Sequence, residues 1–371
     1  MNNQFRAVVR QLGQPILQVA AKQVTSHFSP YSRLFLVSDS PFWVLSWEMR
    51  ELGAIAQHLG IHQANPRWLN YTQNQAVFYG SQFLLLGNEW TKRSHRVGTA
   101  YFHGLPGTGV AEFDQCYQNL CQFHQQIHRI QVSHSQMRDV VLNSGIAPEK
   151  VFLIPIGINL SYFQIQTRQS RQQARAKYGI PESAVVVGSF QKDGVGWDEG
   201  IQPKLIKGPD IFLKTIEILK SRIPELFVLL SGPARGYVKA GLERLGVPYR
   251  HYLLNNYPEV GQLFQSLDLY IVASRQEGGP KAVLESMASG VPLITTKVGQ
   301  AIDLVQHGKN AWMVDVEDAE GLAYWAEYVI TNKPELNSVL QQGRTTAEAN
   351  TYTSQISLWR NFMNGFVEVS V

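Results

Sequence analysis

The fold of this chain follows from one stretch, Leu267-Asp-Leu-Tyr-Ile-Val-Ala-Ser-Arg-Gln-Glu-Gly-Gly-Pro-Lys-Ala-Val-Leu-Glu285. It opens with a short, mostly apolar run over residues 267–273, which is typical of a buried parallel strand. Apolar residues then recur at helical spacing over 283–288, and Pro280 suits the first turn of a helix. Gly290 ends that helix, and Pro292 begins the next apolar run. The stretch therefore predicts a strand, a glycine loop, a helix and a second strand.

This stretch also carries candidate binding groups. The first backbone amides of the predicted helix, those of Lys281 and Ala282, have no partner within the helix and form a natural seat for a phosphate. Glu277 and Glu285 lie on either side of that seat, and because like charges repel, we expect them to bind hydroxyls. A nucleotide sugar has hydroxyls on both sides of its diphosphate, so Glu277 would face the sugar and Glu285 the ribose. The alternative is two solvated glutamates. The Gly278–Gly279 loop, at the carboxyl end of a strand where open parallel sheets bind ligands, favours a site.

The rest of the chain repeats the alternation of strand and helix patterns, which predicts an α/β protein with doubly wound sheets. Strand patterns occur at residues 34–38, 75–79, 97–102, 129–133, 151–155, 185–190 and 227–230. Residues 164–173 lose hydrophobic periodicity and gain polar side chains, as at a domain boundary. We therefore expect an N-terminal domain over residues 1–165 and a C-terminal domain over 166–352, with an apolar helix following at about 353–371.

Glu277 and Glu285 match the E-x7-E motif of retaining glycosyltransferases with the GT-B fold, and the wider context resembles family 4. The similarity covers about residues 96–314 in four pieces, in the same order and spacing: 102–104 (Phe-His-Gly), 154–159 (Ile-Pro-Ile-Gly-Ile-Asn), 207–209 (Lys-Gly-Pro) and the stretch above. The resemblance implies two Rossmann-like domains that face a central cleft. The nucleotide-sugar donor would bind to the second domain and the acceptor to the first, and the final helix would cross back to the first domain.

The resemblance assigns the diphosphate to two lysines beyond the ends of predicted strands, Lys192 and Lys207. Family members have an arginine or lysine pair there, which grips the diphosphate and stabilises the leaving group while negative charge builds on it. Lysines are more commonly just solvated, and that alternative stays open for each. The connection over 193–203 is longer than is usual in the family, so the alignment of Lys192 is the weaker of the two.

A histidine and a leucine complete the predicted donor side. His103 stands at the end of a predicted strand and before Gly104, and in the resembled family a histidine here lies beside the transferred sugar. We expect it to hydrogen-bond the sugar or to position the reacting groups, and not to act as a nucleophile. Leu253 lies in the segment Tyr252-Leu-Leu254, which is expected to pass the nucleotide base.

The chain departs from the resembled family after its first strand. Family members usually have a glycine-rich loop there, whereas this chain has residues 39–47, which include Trp43 and Trp47. These aromatic side chains would either stack on a sugar or an apolar acceptor, or fill the interface between the domains. We favour packing, and both interpretations stay open.

The charge distribution bears on partners. The net charge of +4 equals the four basic residues that precede Asp39, because 29 basic and 29 acidic residues remain in the rest of the chain. No basic face across a domain is indicated, which argues against a nucleic-acid binder.

Residues 1–30 are basic, with apolar side chains at helical spacing. We expect them to form either a helical arm packed on the N-terminal domain or an amphipathic helix on an anionic membrane. Two cysteines without metal or redox spacing, and no long apolar run, indicate a reducing, cytoplasmic setting.

The resemblance, together with these observations, implies a retaining hexosyltransferase that uses a UDP- or GDP-sugar, with a role in polysaccharide biosynthesis. The acceptor would be a hydroxyl of a glycan, a lipid-linked sugar or a small molecule. The chain has no D-x-D sequence, so we expect lysines and helix amides to hold the diphosphate without a metal or another cofactor. Two alternatives remain. One is a GT-B sugar-nucleotide epimerase, which would need further acid–base carboxylates, and the other is a nucleotide-sugar-binding protein without catalysis.

Overall fold

The computed structural model describes residues 25, 28–38, 44–332 and 336–368. The strands are β1 (Leu34–Val37), β2 (Gln63–Ala64), β3 (Ala76–Tyr79), β4 (Arg96–Ala100), β5 (Ile127–Val132), β6 (Val151–Leu153), β7 (Val185–Phe190), β8 (Leu226–Ser231), β9 (Tyr249–Tyr252), β10 (Leu269–Val272), β11 (Leu293–Thr296) and β12 (Trp312–Val314). The α-helices are α1 (Val44–His58), α2 (Ala111–Phe123), α3 (Ser135–Leu142), α4 (Arg168–Lys177), α5 (Pro209–Lys220), α6 (Gly236–Leu245), α7 (Val260–Phe264), α8 (Lys281–Ser289), α9 (Ala301–Leu304), α10 (Ala319–Thr331), α11 (Asn337–Ala349) and α12 (Ile356–Met363).

The strands form two sheets of six parallel strands each, in the orders β2-β1-β3-β4-β5-β6 and β12-β11-β10-β7-β8-β9. The α/β architecture predicted from the sequence is therefore confirmed. We call the first sheet with α1–α3 and α12 the N-terminal lobe, and the second sheet with α4–α11 the C-terminal lobe. None of the helices in the described part of the chain is both long and apolar enough to cross a membrane.

The second sheet reverses its strand order between β7 and β10, which lie side by side although they are not consecutive. In open α/β sheets this topological switch point opens a crevice at the carboxyl ends of the strands, and ligands bind there. The loop after β10 is the glycine loop that holds Glu277, and the connection after β7 holds Lys192 and Lys207. The strand order thus brings two separate parts of the sequence to one crevice.

The unit from β10 to β11 follows the predicted pattern closely. All four residues of β10 are buried between helices, which accounts for their apolar character. Pro280 is the N-cap of α8, and Gly290 ends the helix in the left-handed conformation with φ of 67°, which a residue with a side chain rarely adopts. The next strand begins at Leu293. Local patterning was sufficient here because the caps and the periodicity are local properties.

The end of the chain packs on the N-terminal lobe. Aromatic and apolar side chains of α12 and the residues around it join the core of the first sheet. The ring of Phe362 lies 5.5 Å from Phe78 and 5.1 Å from Phe152, measured between ring centroids. The Arg129 guanidinium of β5 donates to the carbonyl of Phe362 at 3.2 Å. The final helix therefore crosses back to the first sheet, while the exact domain boundaries remain predictions.

Candidate active site

Glu277 is held by an ion pair in the crevice at the switch point. Its carboxylate Oε2 accepts from the Lys207 ammonium at 2.6 Å, and its Oε1 accepts from the Ser274 hydroxyl at 2.9 Å. The two charged side chains are 11% and 24% exposed, so the pair is partly shielded from water yet open on one side. The structure thus brings together a carboxylate and a cation that are 70 residues apart in the sequence.

The position of Lys207 depends on close backbone packing. The backbone amides of Arg275 and Gln276 both donate to the carbonyl of Ile206, at 2.9 and 3.0 Å, which ties the loop after β10 to the short 3₁₀ turn Leu205–Lys207. Gly208 follows with φ of 61°, and a Cβ atom there would lie 1.9 Å from the carbonyl oxygen of Ala273. Only glycine fits this point, and it turns the chain directly into α5.

Two further lysines surround Lys207. Burial lowers the pKa of Lys204, and the charges of Lys207 and Lys192 lower it further. Burial also lowers the pKa of Lys192, whose ammonium lies 4.3 Å from the centre of the Trp197 ring. Lys192, Lys204 and Lys207 thus place three positive charges in one crevice. A bound anion would offset their mutual repulsion and stabilise the charged form of each amine. The sequence reasoning missed Lys204. Lys204 precedes Lys207 by three positions, so the two lysines stand at opposite ends of one 3₁₀ turn and both reach the crevice.

His103 lies on the N-terminal lobe next to these lysines. Its backbone amide and that of Phe102 donate to the Gln82 side-chain oxygen, at 2.9 and 2.8 Å, and its ring stacks on Phe83 with 5.0 Å between centroids. Burial lowers the pKa of His103 to about 3, with smaller contributions from Lys207 and Lys204. The imidazole is therefore neutral at physiological pH, and it can donate or accept a hydrogen bond but not supply positive charge.

The two loop glycines are required by the contact between the lobes. A Cβ atom on Gly278 would lie 2.0 Å from the carbonyl oxygen of Phe102, and one on Gly279 would lie 2.3 Å from the Ile156 side chain. The Ser133 hydroxyl donates to the carbonyl of Gly278 at 2.9 Å. These glycines let the loop approach the N-terminal lobe closely, a reason that local sequence patterns do not reveal. Their contact with a donor phosphate stays a prediction.

Glu285 is buried in α8, where the hydroxyl of Tyr257 donates to its Oε1 at 2.5 Å. Burial raises the pKa of Glu285. The Lys281 ammonium contacts the Glu48 carboxylate of α1 and the Tyr352 hydroxyl, so this side chain links the two lobes. The amides of Lys281 and Ala282 remain the first two of the helix and have no acceptor within it.

Two of the remaining predicted residues, Leu253 and Trp47, are among those that the structure describes. Leu253 follows β9 and is 68% exposed. Trp47 packs between the lobes, with its ring 6.1 Å from Tyr257 and 6.3 Å from Tyr162, and with the Arg50 guanidinium 4.5 Å from its ring centre. Trp43 lies outside the described residues. Within the described ranges, no three His, Cys, Asp or Glu side chains are grouped so that they would hold a metal ion, and metal independence stays a prediction.

Comparison with known proteins gives a consistent result. Residues 202–346 match the family model "Glycosyl transferases group 1". The D-inositol 3-phosphate glycosyltransferase of Corynebacterium urealyticum is 28% identical over 192 residues, which are 48% of this chain and 42% of that protein. The putative glycosyltransferase EpsD of Bacillus subtilis is 26% identical over 216 residues, covering 56% and 54% of the two chains. This chain thus spans about half the length of the curated relatives it matches.

Solved structures show the same fold over most of the chain. Anabaena Alr3699/HepE in complex with UDP-glucose superposes with a TM-score of 0.69 at 14% identity, covering 90% of this chain and 99% of that one. A glycosyltransferase from Rickettsia africae superposes with a TM-score of 0.63 at 16% identity, covering 91% and 98% of the two chains. Residues 202–346 are thus similar to the glycosyl transferases group 1 family, and the chain has the GT-B fold.

Proposed function

We propose that this chain is a retaining, metal-independent hexosyltransferase that moves a sugar from a UDP- or GDP-sugar to an acceptor hydroxyl. The observation that carries the proposal is the Lys207–Glu277 pair, 2.6 Å apart at the switch point of the second sheet and next to His103 of the other lobe. The family match includes both members of the pair. The Anabaena structures in complex with UDP and UDP-glucose support a nucleotide-sugar donor.

In the proposed complex, the donor diphosphate lies between α8 and the lysines. The amides of Lys281 and Ala282 point out of the start of α8 and would bind phosphate oxygens. Lys192, Lys204 and Lys207 would supply fixed positive charge. As the bond between the sugar and the diphosphate breaks, negative charge grows on the leaving phosphate, and cations already in place stabilise it without reorganisation.

The sugar and the ribose would lie on opposite sides of the diphosphate. Glu277, oriented by Lys207 and Ser274, would accept hydrogen bonds from hydroxyls of the transferred sugar. His103 is neutral and would hydrogen-bond the same sugar from the N-terminal lobe. Glu285 has one oxygen engaged by Tyr257 and would accept a ribose hydroxyl with the other. Leu253 would contact the base. In this arrangement the chemistry of retention proceeds on one face of the sugar, and the leaving phosphate deprotonates the acceptor.

The test is to incubate the purified chain with a panel of UDP- and GDP-sugars and potential acceptors in the presence of EDTA. Nucleoside diphosphate release with a new glycoside of unchanged anomeric configuration is expected. Glu277→Ala should abolish turnover, whereas Glu217→Ala, an exposed glutamate on α5, should not change it. An epimerised sugar nucleotide would identify an epimerase, and donor binding without sugar release would identify a binding protein. Either result would contradict the proposal.

Further parts of the proposal concern the setting. The acceptor is proposed to be a glycan, a lipid-linked sugar or a small molecule. The process is proposed to be polysaccharide biosynthesis at the cytoplasmic side of a membrane. Membrane contact through residues 1–30 belongs to the same proposal, and of these residues the structure describes only 25 and 28–30.

A further inference from the structure

The connection between β7 and α5 contains a hairpin over residues 193–203, which we call the 193–203 hairpin. Gly194 and Pro203 form an antiparallel bridge, and the Val195 amide donates to the carbonyl of Gln202 at 2.8 Å. All but its last two residues precede the segment that matches the glycosyl transferases group 1 model, which begins at residue 202. The hairpin, like β7 before it, therefore lies almost entirely outside the matched segment.

A buried ion pair anchors the base of the hairpin. The Arg235 guanidinium lies 3.0 Å from the Asp193 carboxylate, and both side chains are at most 1% exposed. The same guanidinium donates to the carbonyls of Ser189, Gln191 and Ser231, at 2.6 to 3.0 Å. Removing either partner of such a buried pair leaves a charge without compensation, which is strongly destabilising, so the pair fixes the base of the hairpin.

Backbone contacts at Gly194, Glu199 and Gly200 add to this anchor. Cβ atoms on Gly194 and Gly200 would lie 2.4 and 2.3 Å from the carbonyl oxygen of Ala234, so only glycine permits this contact. The carbonyls of Glu199 and Gly200 accept from the first amides of α6, at 2.6 and 3.0 Å. The first amides of α6, which have no acceptor within the helix, therefore bind backbone carbonyls of the hairpin. The hairpin is thus a fixed part of the C-terminal lobe.

This fixed hairpin nevertheless exposes large apolar side chains. Trp197 is 64% exposed, Ile201 is 70% exposed and Val195 is also exposed, as is Leu205 in the turn that follows the hairpin. Among the residues that the structure describes, nine large hydrophobic side chains are exposed, and these four lie within 11 consecutive positions. Apolar surface concentrated in one rigid element is typical of a binding surface.

Trp197 stands at the rim of the cleft. The Lys192 ammonium, part of the proposed diphosphate site, lies 4.3 Å from its ring centre. The base of the hairpin leads directly into Lys204, whose pKa is lowered mainly by burial, and the charge of Glu112 at the start of α2 in the N-terminal lobe offsets a small part of that lowering. The hairpin therefore lies beside the lysines of the proposed diphosphate site, on the side from which the charge of Glu112 reaches Lys204.

The carboxylates beside Trp197 indicate which class of molecule this surface would bind. Asp198 and Glu199 follow it with exposed side chains, and neither is among the ion pairs found in the described ranges. A sugar ring has an apolar face of C–H groups that stacks on an indole, and hydroxyls that donate to carboxylates. An anionic membrane surface would instead be repelled by two adjacent carboxylates. The combination favours a carbohydrate.

We propose that Trp197, presented by the 193–203 hairpin, is a stacking platform for a sugar ring of the acceptor, with Asp198 and Glu199 accepting its hydroxyls. The proposal rests on the proposed function, since it places this sugar beside the donor site of a glycosyltransferase. It also defines the acceptor as a carbohydrate and makes this hairpin the element that selects it.

The test uses the full chain and two measurements. An array of oligosaccharides first identifies the acceptor by transfer from the active donor. Trp197→Ala should then raise the KM for that acceptor about tenfold, the change that corresponds to about 1.4 kcal/mol, while the KM for the donor changes less than twofold. Trp197→Phe retains an aromatic face and should restore most of the affinity. Tyr324→Ala removes an aromatic side chain of similar exposure on α10 and should behave as the wild type.

Three outcomes would overturn the platform. An acceptor KM within twofold of the wild type in Trp197→Ala would contradict it, as would an equal loss of donor and acceptor affinity. Binding of the wild type, but not of Trp197→Ala, to vesicles of phosphatidylglycerol and phosphatidylcholine would assign the hairpin to a membrane instead. Failure of the proposed function appears separately, as a wild-type chain that releases no nucleoside diphosphate from any donor. In that case, direct oligosaccharide binding, followed by quenching of tryptophan fluorescence in the wild type and the two Trp197 variants, still tests the platform.

Discussion

The substitution Lys207→Met tests the central ion pair most directly. It removes the ammonium but retains most of the length and the apolar stem of the side chain. Exposed ion pairs contribute up to about 1 kcal/mol, and removing one partner of a fully buried pair costs about 3–5 kcal/mol. The Lys207–Glu277 pair is 24% and 11% exposed, so it lies between these cases. We therefore expect the free energy of unfolding to fall by about 1–3 kcal/mol, which leaves the chain folded.

The effect on turnover should be larger than the effect on stability. The ammonium would stabilise charge that is greatest in the transition state, and the loss of one such preorganised group typically lowers kcat about 10²–10³-fold. Loss of Lys207 also frees Glu277 from its 2.6 Å partner, so sugar orientation is lost along with charge. Both effects act in the same direction. We expect kcat of Lys207→Met to fall by at least about a hundredfold.

The assay follows nucleoside diphosphate release under saturating donor and acceptor. Lys214→Met is the matched control, because Lys214 is an exposed lysine on α5, which begins directly after Gly208. Urea unfolding of both variants checks that they are folded at the assay temperature. Turnover of Lys207→Met within threefold of the control would refute the reasoning, because the pair would then be structural only.

Three further outcomes are expected. Gly208→Ala should lower the free energy of unfolding, measured in urea, by more than about 2 kcal/mol, because the new Cβ clashes with the Ala273 carbonyl and the backbone has a positive φ. Gly107→Ala is the control, with φ of 76° but no atom within 4 Å of the new Cβ, and should cost only about 1 kcal/mol. Burial lowers the pKa of both His95 and His134 to about 4, below the ordinary value of 6.5, so the free energy of unfolding should fall as the pH drops from 6.5 toward 4. His95→Asn retains an acceptor for the Gln75 amide and should show a weaker pH dependence of the urea midpoint; an unchanged dependence would contradict this cause. If residues 1–30 lie on a membrane, their removal should abolish pelleting with anionic liposomes, and equal pelleting of both chains would exclude that role.

Local sequence patterns predicted much of the fold and part of the site. The unit from β10 to β11 was predicted with its glycine loop and both helix ends, because periodicity and caps depend on residues close in sequence. The resemblance to family 4 pointed to Lys207, Glu277 and His103, which the structure brings to one crevice. Their roles remain proposals, since position does not test chemistry.

Contacts between distant parts of the chain were not predictable in this way. Lys281 contacts Glu48, which lies 233 positions earlier in the sequence. Tyr257, just before α7, donates to Glu285 of α8. Gly278 and Gly279 were predicted to bind the donor, which stays a prediction, and the structure adds that their lack of side chains lets the two lobes touch. Lys204 had no signal of its own beyond its spacing from Lys207.

The amino-acid sequence alone determined the alternation of strands and helices and the chemistry of the glycine loop, because hydrophobic periodicity, helix caps and turn residues act over a few positions. Only the tertiary structure decided that three lysines and a glutamate share one crevice, and that a hairpin with an exposed Trp197 stands at its rim. The reason is physical. Strand order and lobe packing set those distances, and both arise from burial of apolar surface over the whole chain, a property that no short segment contains.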